Sequence, residues 1–212
     1  MRQQSNTIVM QSIENMIIAK IKKHRKGSLF FTEDFLSFGT SKSISKALER
    51  LVKKQEISRV ARGIYALLKT HPLIGLLFPP IDTIAKAIAN RDKARIIPTG
   101  SMALNALGLS TQVPMNVVYL TDGSARKIKI RNQKIVFKKT APRNLATIGE
   151  ISGLVIQAAK EIGKDRLFEN EIEIIIAQLL KEDPYRLKHD IKLAPEWIRI
   201  IMRKALINVN EK

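Results

Sequence analysis

The chain has 212 residues, is 45% hydrophobic, carries three histidines and contains no cysteine. That is enough for one ordinary domain or two small ones, each with a real core. The missing cysteine excludes disulfides, thiol nucleophiles and zinc sites of the usual Cys/His spacing, and fits a reducing cytoplasm. The formal net charge is +18, with an excess of +9 over residues 1–70, +9 over residues 71–145 and 0 over residues 146–212. A basic front joined to a neutral tail points to a polyanion-facing surface, nucleic acid first, rather than to even solvation.

The N-terminus has no apolar run of signal-peptide length, and "PLIGLLFPP" and "IEIIIAQLL" are shorter than a bilayer span. Secretion and membrane spanning are therefore not expected. From Ser5 onward Ile8, Val9, Ile13, Met16, Ile17 and Ile21 recur at helical steps, predicting an amphipathic helix that ends in "KKHRKG". "SLFF" reads as a short strand. Thr32 is then expected to cap a second helix, "EDFLSFG", stopped by Gly39.

The third helix, "TSKSISKALERLVKKQEI", has a narrow apolar stripe of Ile44, Ala47, Leu48, Leu51 and Val52. Lys42, Lys46, Glu49 and Lys53 fall opposite it, with Arg50 and Ser43 at the margin. "ISRVARGIYALLK" follows as a hairpin turning at Ala61, Arg62 and Gly63. Three short helices and a hairpin define a winged helix-turn-helix over residues 1–70. A recognition helix enters the major groove by its N-terminal half, which places Ser41, Lys42, Ser43, Ser45 and Lys46 at bases or flanking phosphates, with Arg50 one turn on. Arg59 and Arg62 lie on the wing. Glu49 could accept from a cytosine amino group, but pairing with Lys46 or Lys53 is the simpler expectation.

Consecutive prolines in "HPLIGLLFPP" mark a boundary near residue 70, and residues 71–212 form the second domain. Over residues 71–145 an α/β portion is expected: a helix in "IDTIAKAIANRD", a strand in "ARIIP", a two-turn helix from Ser101 to Leu107 stopped by Gly108, a strand in "NVVYL", and a hairpin through "ARKIKI", "RNQK" and "IVFKKT". Residues 146–212 are read as a helical segment: "TIGEISGLVIQAAKEIG", "LFENEIEIIIAQLLKED" and "APEWIRIIMRKALI" show three amphipathic helices of balanced charge, serving as support or as a homodimer face. Trp197 is expected in the core, and His24 and His189 at the surface. The fold class is α+β.

The "PTGS" turn followed by a strand is similar to the start of a polymerase-beta-type nucleotidyltransferase site. That chemistry needs a pair of carboxylates on the next strand to hold magnesium. There is no Asp or Glu between Asp92 and Asp122, and Asp122 in "TDG" reads as a turn residue. Nor does the sequence offer a Gly-Lys-Ser/Thr phosphate loop, a nucleophile elbow or a His-acid pair at a useful spacing. No catalytic residue, metal or cofactor is expected, and no enzyme activity. Gly100 and Ser101 could bind an anion or simply start a helix.

The pairing of "ALERLVKKQEISRVARGIYAL" with "IPTGSMALNALGLSTQVPMNVVYLTDG" resembles the AbiEi family, the antitoxin half of type IV toxin-antitoxin pairs. The similarity runs from about Ser12 to Gly163. Arg62, Gly63 and Tyr65 match the family's wing turn. Gly100, Ser101, Asn105, Gly108, Leu109, Ser110, Thr111, Gln112 and Pro114 match its second motif. The resemblance implies a winged helix that binds double-stranded DNA at its own promoter, and a C-terminal domain that counteracts a nucleotidyltransferase-like toxin without requiring a stable complex. The basic hairpin residues Arg126, Lys127, Lys129, Arg131, Lys138 and Lys139 offer a second nucleic-acid contact, a surface for an acidic target such as RNA or the toxin, or a lysine-blunted sheet edge. A regulator with a ligand-sensing or dimerising second domain, and an RNA-binding module, remain the alternatives.

Overall fold

Residues 12–112 and 114–210 are described by the computed structural model, and the chain divides into two units, Met1–Pro80 and Ile81–Lys212. The division falls after the double proline rather than before "HPLIGLL". The architecture is mixed α+β.

In the first unit Ser12 accepts the Asn15 amide at 3.2 Å and starts helix α1 (Ile13–Lys22), whose Ile17 and Ile21 are fully buried. The expected beginning of that helix, residues 5–11, lies outside the described residues. Strand β1 (Leu29–Phe31) runs into a 3-10 helix, Thr32–Phe38. Thr32 does not cap it. The cap is Phe31, whose amide donates to the Asp34 carboxylate at 2.7 Å, and Thr32 is already the first residue of the helix.

Thr40 caps helix α2 (Ser41–Lys53), accepting the Ser43 amide at 3.3 Å. Ile44, Ala47, Leu48 and Leu51 then pack with Ile17, Ile21, Phe30, Phe35 and Tyr65 into one core. Strands β2 (Ser58–Ala61) and β3 (Ile64–Ala66) form the expected hairpin, and the antiparallel sheet runs β1-β3-β2. Gly63 has φ +73°, and a Cβ there would meet only Thr32 Oγ1 at 3.6 Å. Backbone conformation, not space, therefore demands glycine, and Gly63→Ala is expected to cost about 1 kcal/mol in urea denaturation. A second hairpin, β4 (Lys69–His71) with β5 (Gly75–Leu77), occupies the stretch read only as a change of composition.

The second unit opens with α3 (Ile81–Arg91), β6 (Ile96–Pro98), α4 (Ser101–Ala106) and β7 (Asn116–Thr121), followed by the hairpin β8 (Arg126–Ile130) and β9 (Gln133–Lys139). Strand order is β6-β7-β9-β8, with β9 parallel to β7 and antiparallel to β8. Alternation puts Val117, Tyr119, Ile135 and Phe137 on one buried face. There Tyr119 donates to Asp82 of α3 at 2.9 Å, and Asp82 also holds Lys86 at 2.8 Å. Burial and the Asp82 charge push the Tyr119 phenol far above its ordinary value. Tyr119→Phe is expected to cost about 1 kcal/mol in thermal denaturation.

Helices α5 (Glu150–Ile162), α6 (Glu169–Leu179), α7 (Pro184–Ile191) and α8 (Glu196–Asn210) complete the unit. Val155, Ile175, Leu179, Leu187, Ile198 and Met202 share a core with Ala103 and Leu107, and Trp197 packs against it. Helix α7 was not anticipated, although Asp183 as cap with Pro184 in the first turn is a helix start. Two buried carboxylates fix the start of α5. Asp190 accepts the Ile148 and Gly149 amides at 3.0 and 2.8 Å, and Glu182 accepts the Ile151 and Ser152 amides at 2.8 and 3.1 Å.

Among the described residues no helix is long and apolar enough to cross a membrane.

Candidate nucleic-acid interface

The core stripe of α2 leaves Ser41, Lys42, Ser45, Lys46, Glu49 and Arg50 exposed. Lys42 and Lys46 are one turn apart on the same row. Glu49 pairs with Lys53 at 3.2 Å, the simpler of its two expected roles. Between α2 and the β2–β3 hairpin runs a cleft of about 340 Å³ lined by Ser45, Glu49, Arg59, Arg62, Gly63 and Tyr65. Ser45, Arg59 and Arg62 are thus brought to one concave surface, bordered by the Lys42–Lys46 row.

Two of the expected contacts are committed elsewhere. Ser43 is half-buried: its hydroxyl donates to the Thr40 carbonyl at 2.8 Å and its amide to the Thr40 hydroxyl. It belongs to the cap. Arg50 lies against α1, ion-paired with Glu14, which also holds Lys54 at 2.7 Å. Hydrogen bonds from Lys54 and Arg50 hold the Glu14 carboxyl below its ordinary range. A folded value below the unfolded one means stability present at neutral pH and lost as pH falls through the folded value. Urea titrations of wild type and Glu14→Gln are expected to differ at pH 7 and to converge in acid. This clamp joins positions 36 residues apart, so nothing local in the sequence marked it.

The Gly-Ser turn is not built as an anion site. Gly100 (φ +60°, ψ −138°) precedes a helix of only 6 residues, and the Glu161 carboxylate lies about 3.5 Å from where a Gly100 Cβ would sit. A second negative charge there would be repelled. Ser101 is half-buried at the first position of the helix. Asn105 braces the following loop, donating to the Ser110 and Gln112 carbonyls at 3.1 and 3.4 Å. Asp122 accepts both the Arg95 amide at 2.7 Å and its guanidinium at 2.8 Å, which lowers its carboxyl pKa and ties β7 to the start of β6. Ser152, Asp190 and His189 adjoin in the order serine–carboxylate–histidine, with the serine donating to the carboxylate. The same carboxylate accepts the Gly149 amide, so the trio braces the start of α5.

The basic hairpin divides by strand alternation. Arg126 turns to the buried side: it pairs with Asp92, and its guanidinium lies 5.5 Å over Phe137. Burial raises the Asp92 carboxyl, but the Arg91 and Arg126 pairs outweigh it and leave the value lowered. Arg126 is therefore withdrawn from the open surface. Lys127, Lys129 and Lys138 are exposed on the other side and are joined by Lys134, which the sequence reading left out. Arg131 sits in the turn at φ +53°, and Lys139 ends β9 in register with Thr121.

The molecule is thus an α+β protein with a basic helix-and-hairpin cleft in one unit and a lysine-bearing sheet in the other. The family model of DUF6088, a family of unknown function, matches residues 16–187, and the chain belongs to that family. No curated protein matches the chain.

Proposed function

We propose that the first unit is a winged helix-turn-helix that binds double-stranded DNA, and that the chain is a DNA-binding autorepressor and antitoxin acting in the cytoplasm against a nucleotidyltransferase-like toxin. Support for the DNA-binding part is the element order of the first unit: helix, strand, short helix, helix, hairpin, with sheet order β1-β3-β2. The carrying observation is the shared surface of Ser45, Arg59 and Arg62 beside the exposed Lys42 and Lys46. In this reading α2 enters the major groove by its first two turns, Ser41, Lys42, Ser45 and Lys46 meet base edges or phosphates, and Arg59 and Arg62 follow the backbone from the hairpin. The Arg50–Glu14 pair sets the angle of α2 on α1 rather than touching DNA.

The antitoxin part rests on the resemblance to the AbiEi family. Its test is the neighbouring gene: a nucleotidyltransferase reading frame that is lethal when expressed alone and harmless beside this chain supports it. A neighbour of another kind, or lethality unrelieved by this chain, leaves a regulator without antitoxin action.

A further inference from the structure

We propose that the exposed β9–β8 part of the sheet, on the face away from Tyr119 and Phe137, binds double-helical RNA through Lys127, Lys129, Lys134 and Lys138. Register places Lys129 opposite Lys134, Lys127 opposite Val136, and Lys138 beside Leu120, so these side chains share one face with Asn116 and Val118. Same-face residues along a strand are about 6.7 Å apart and neighbouring strands about 4.8 Å, so the four lysines rise from a backbone patch roughly 5 by 13 Å.

This cluster carries a cost in the free protein. Like charges directly opposed across a strand pair, as in Lys129 and Lys134, are destabilising. Ordinary surfaces relieve such pairs with carboxylates, but from Gly123 to Gly149 there are eight Lys/Arg and no Asp or Glu. None of the four lysines enters an ion pair among the described residues. Blunting of a free edge accounts for Lys127 and Lys129 on β8. It does not account for Lys134 and Lys138, because β9 lies inside the sheet, between β7 and β8. A polyanion resolves the repulsion.

Its kind follows from the shape of the face. Tyr119 and Phe137 are buried on the opposite side, so unstacked bases find no aromatic platform here. A sheet face has no projecting helix or ribbon to enter the B-DNA major groove. The wide, shallow minor groove of A-form RNA, bordered by phosphates and 2′-hydroxyls, suits a flat two-strand face of point charges, with the exposed Asn116 amide at its margin.

The inference is independent of DNA binding by α2. Anisotropy with the full chain and a labelled RNA hairpin of about 16 base pairs tests it, beside the same sequence as a DNA hairpin and as single-stranded RNA. The RNA hairpin is expected to bind best. Lys127→Glu/Lys129→Glu and Lys134→Glu/Lys138→Glu are each expected to weaken it by about tenfold or more, lowering the slope of log affinity against log salt by about 2. Promoter retardation should stay within about twofold. The neutral Lys134→Gln is expected to weaken RNA binding while raising Tm, since it removes the opposed charge. Failure to bind the RNA hairpin, equal binding of the DNA hairpin or single strand through these lysines, unchanged RNA binding by the variants, or a lowered Tm for Lys134→Gln would each overturn the proposal.

Discussion

Replacing Lys42 and Lys46 together by alanine is expected to weaken retardation of the upstream DNA by about 2–4 kcal/mol, one and a half to three orders of magnitude. Both side chains are exposed on one row of α2, bordering the cleft that holds Arg59 and Arg62. Their loss removes contacts without disturbing the Ile44–Ala47–Leu48–Leu51 core stripe. If both meet phosphates, the salt slope should fall by about 2 as well, at about 0.9 for each phosphate neutralised. Arg50→Ala provides the contrast. Because Arg50 is paired with Glu14 on α1, its loss should change stability more than affinity. Equal effects on affinity from Arg50→Ala and from the lysine pair would place the duplex on the α1 side of the helix.

The largest stability effect is expected at Asp190. Its carboxylate is fully buried and accepts from the Ile148 and Gly149 amides, the Ser152 hydroxyl and the adjoining His189 ring. Asp190→Ala strands those donors at the start of α5, away from water, and should cost about 3–5 kcal/mol. Urea denaturation followed by circular dichroism measures it. Asp190→Asn keeps one acceptor and should fall between alanine and wild type. Gly149 is tied to the same arrangement: a Cβ there would press into Ser152 Oγ and the Glu182 carboxylate. A cost for Asp190→Ala below about 1 kcal/mol would mean that water reaches these amides.

Local signals read well in this chain, and long-range partners did not. The hairpin at Gly63, the stripe on α2, the short helix ended at Gly108 and the helices at Glu150, Glu169 and Glu196 all follow from periodicity and turn chemistry within a few residues. The Thr32 cap failed because the helix starts one residue earlier, with Thr32 inside it and Asp34 accepting the Phe31 amide. Arg50 and Arg126 looked free because their partners, Glu14 and Asp92, lie 36 and 34 residues away. Asp190 carries no local signal of its role, because only the fold brings the α5 amides to it. Lys134 was the avoidable omission. Its alternation with Ile135 and Phe137 puts it on the lysine face as surely as Lys138. Placing β9 inside the sheet, parallel to β7, depends on a crossover that no local pattern encodes.

The central claim is that the basic residues of the first unit lie along a duplex through α2 and the β2–β3 hairpin. Hydrogen-exchange footprinting of the full chain with and without a duplex of the upstream DNA tests it most directly. Protection is expected to concentrate over residues 41–46 and 59–63, and to disappear in the Lys42→Ala/Lys46→Ala variant. Protection confined to other segments, with α2 and the hairpin unchanged on a bound duplex, would contradict it.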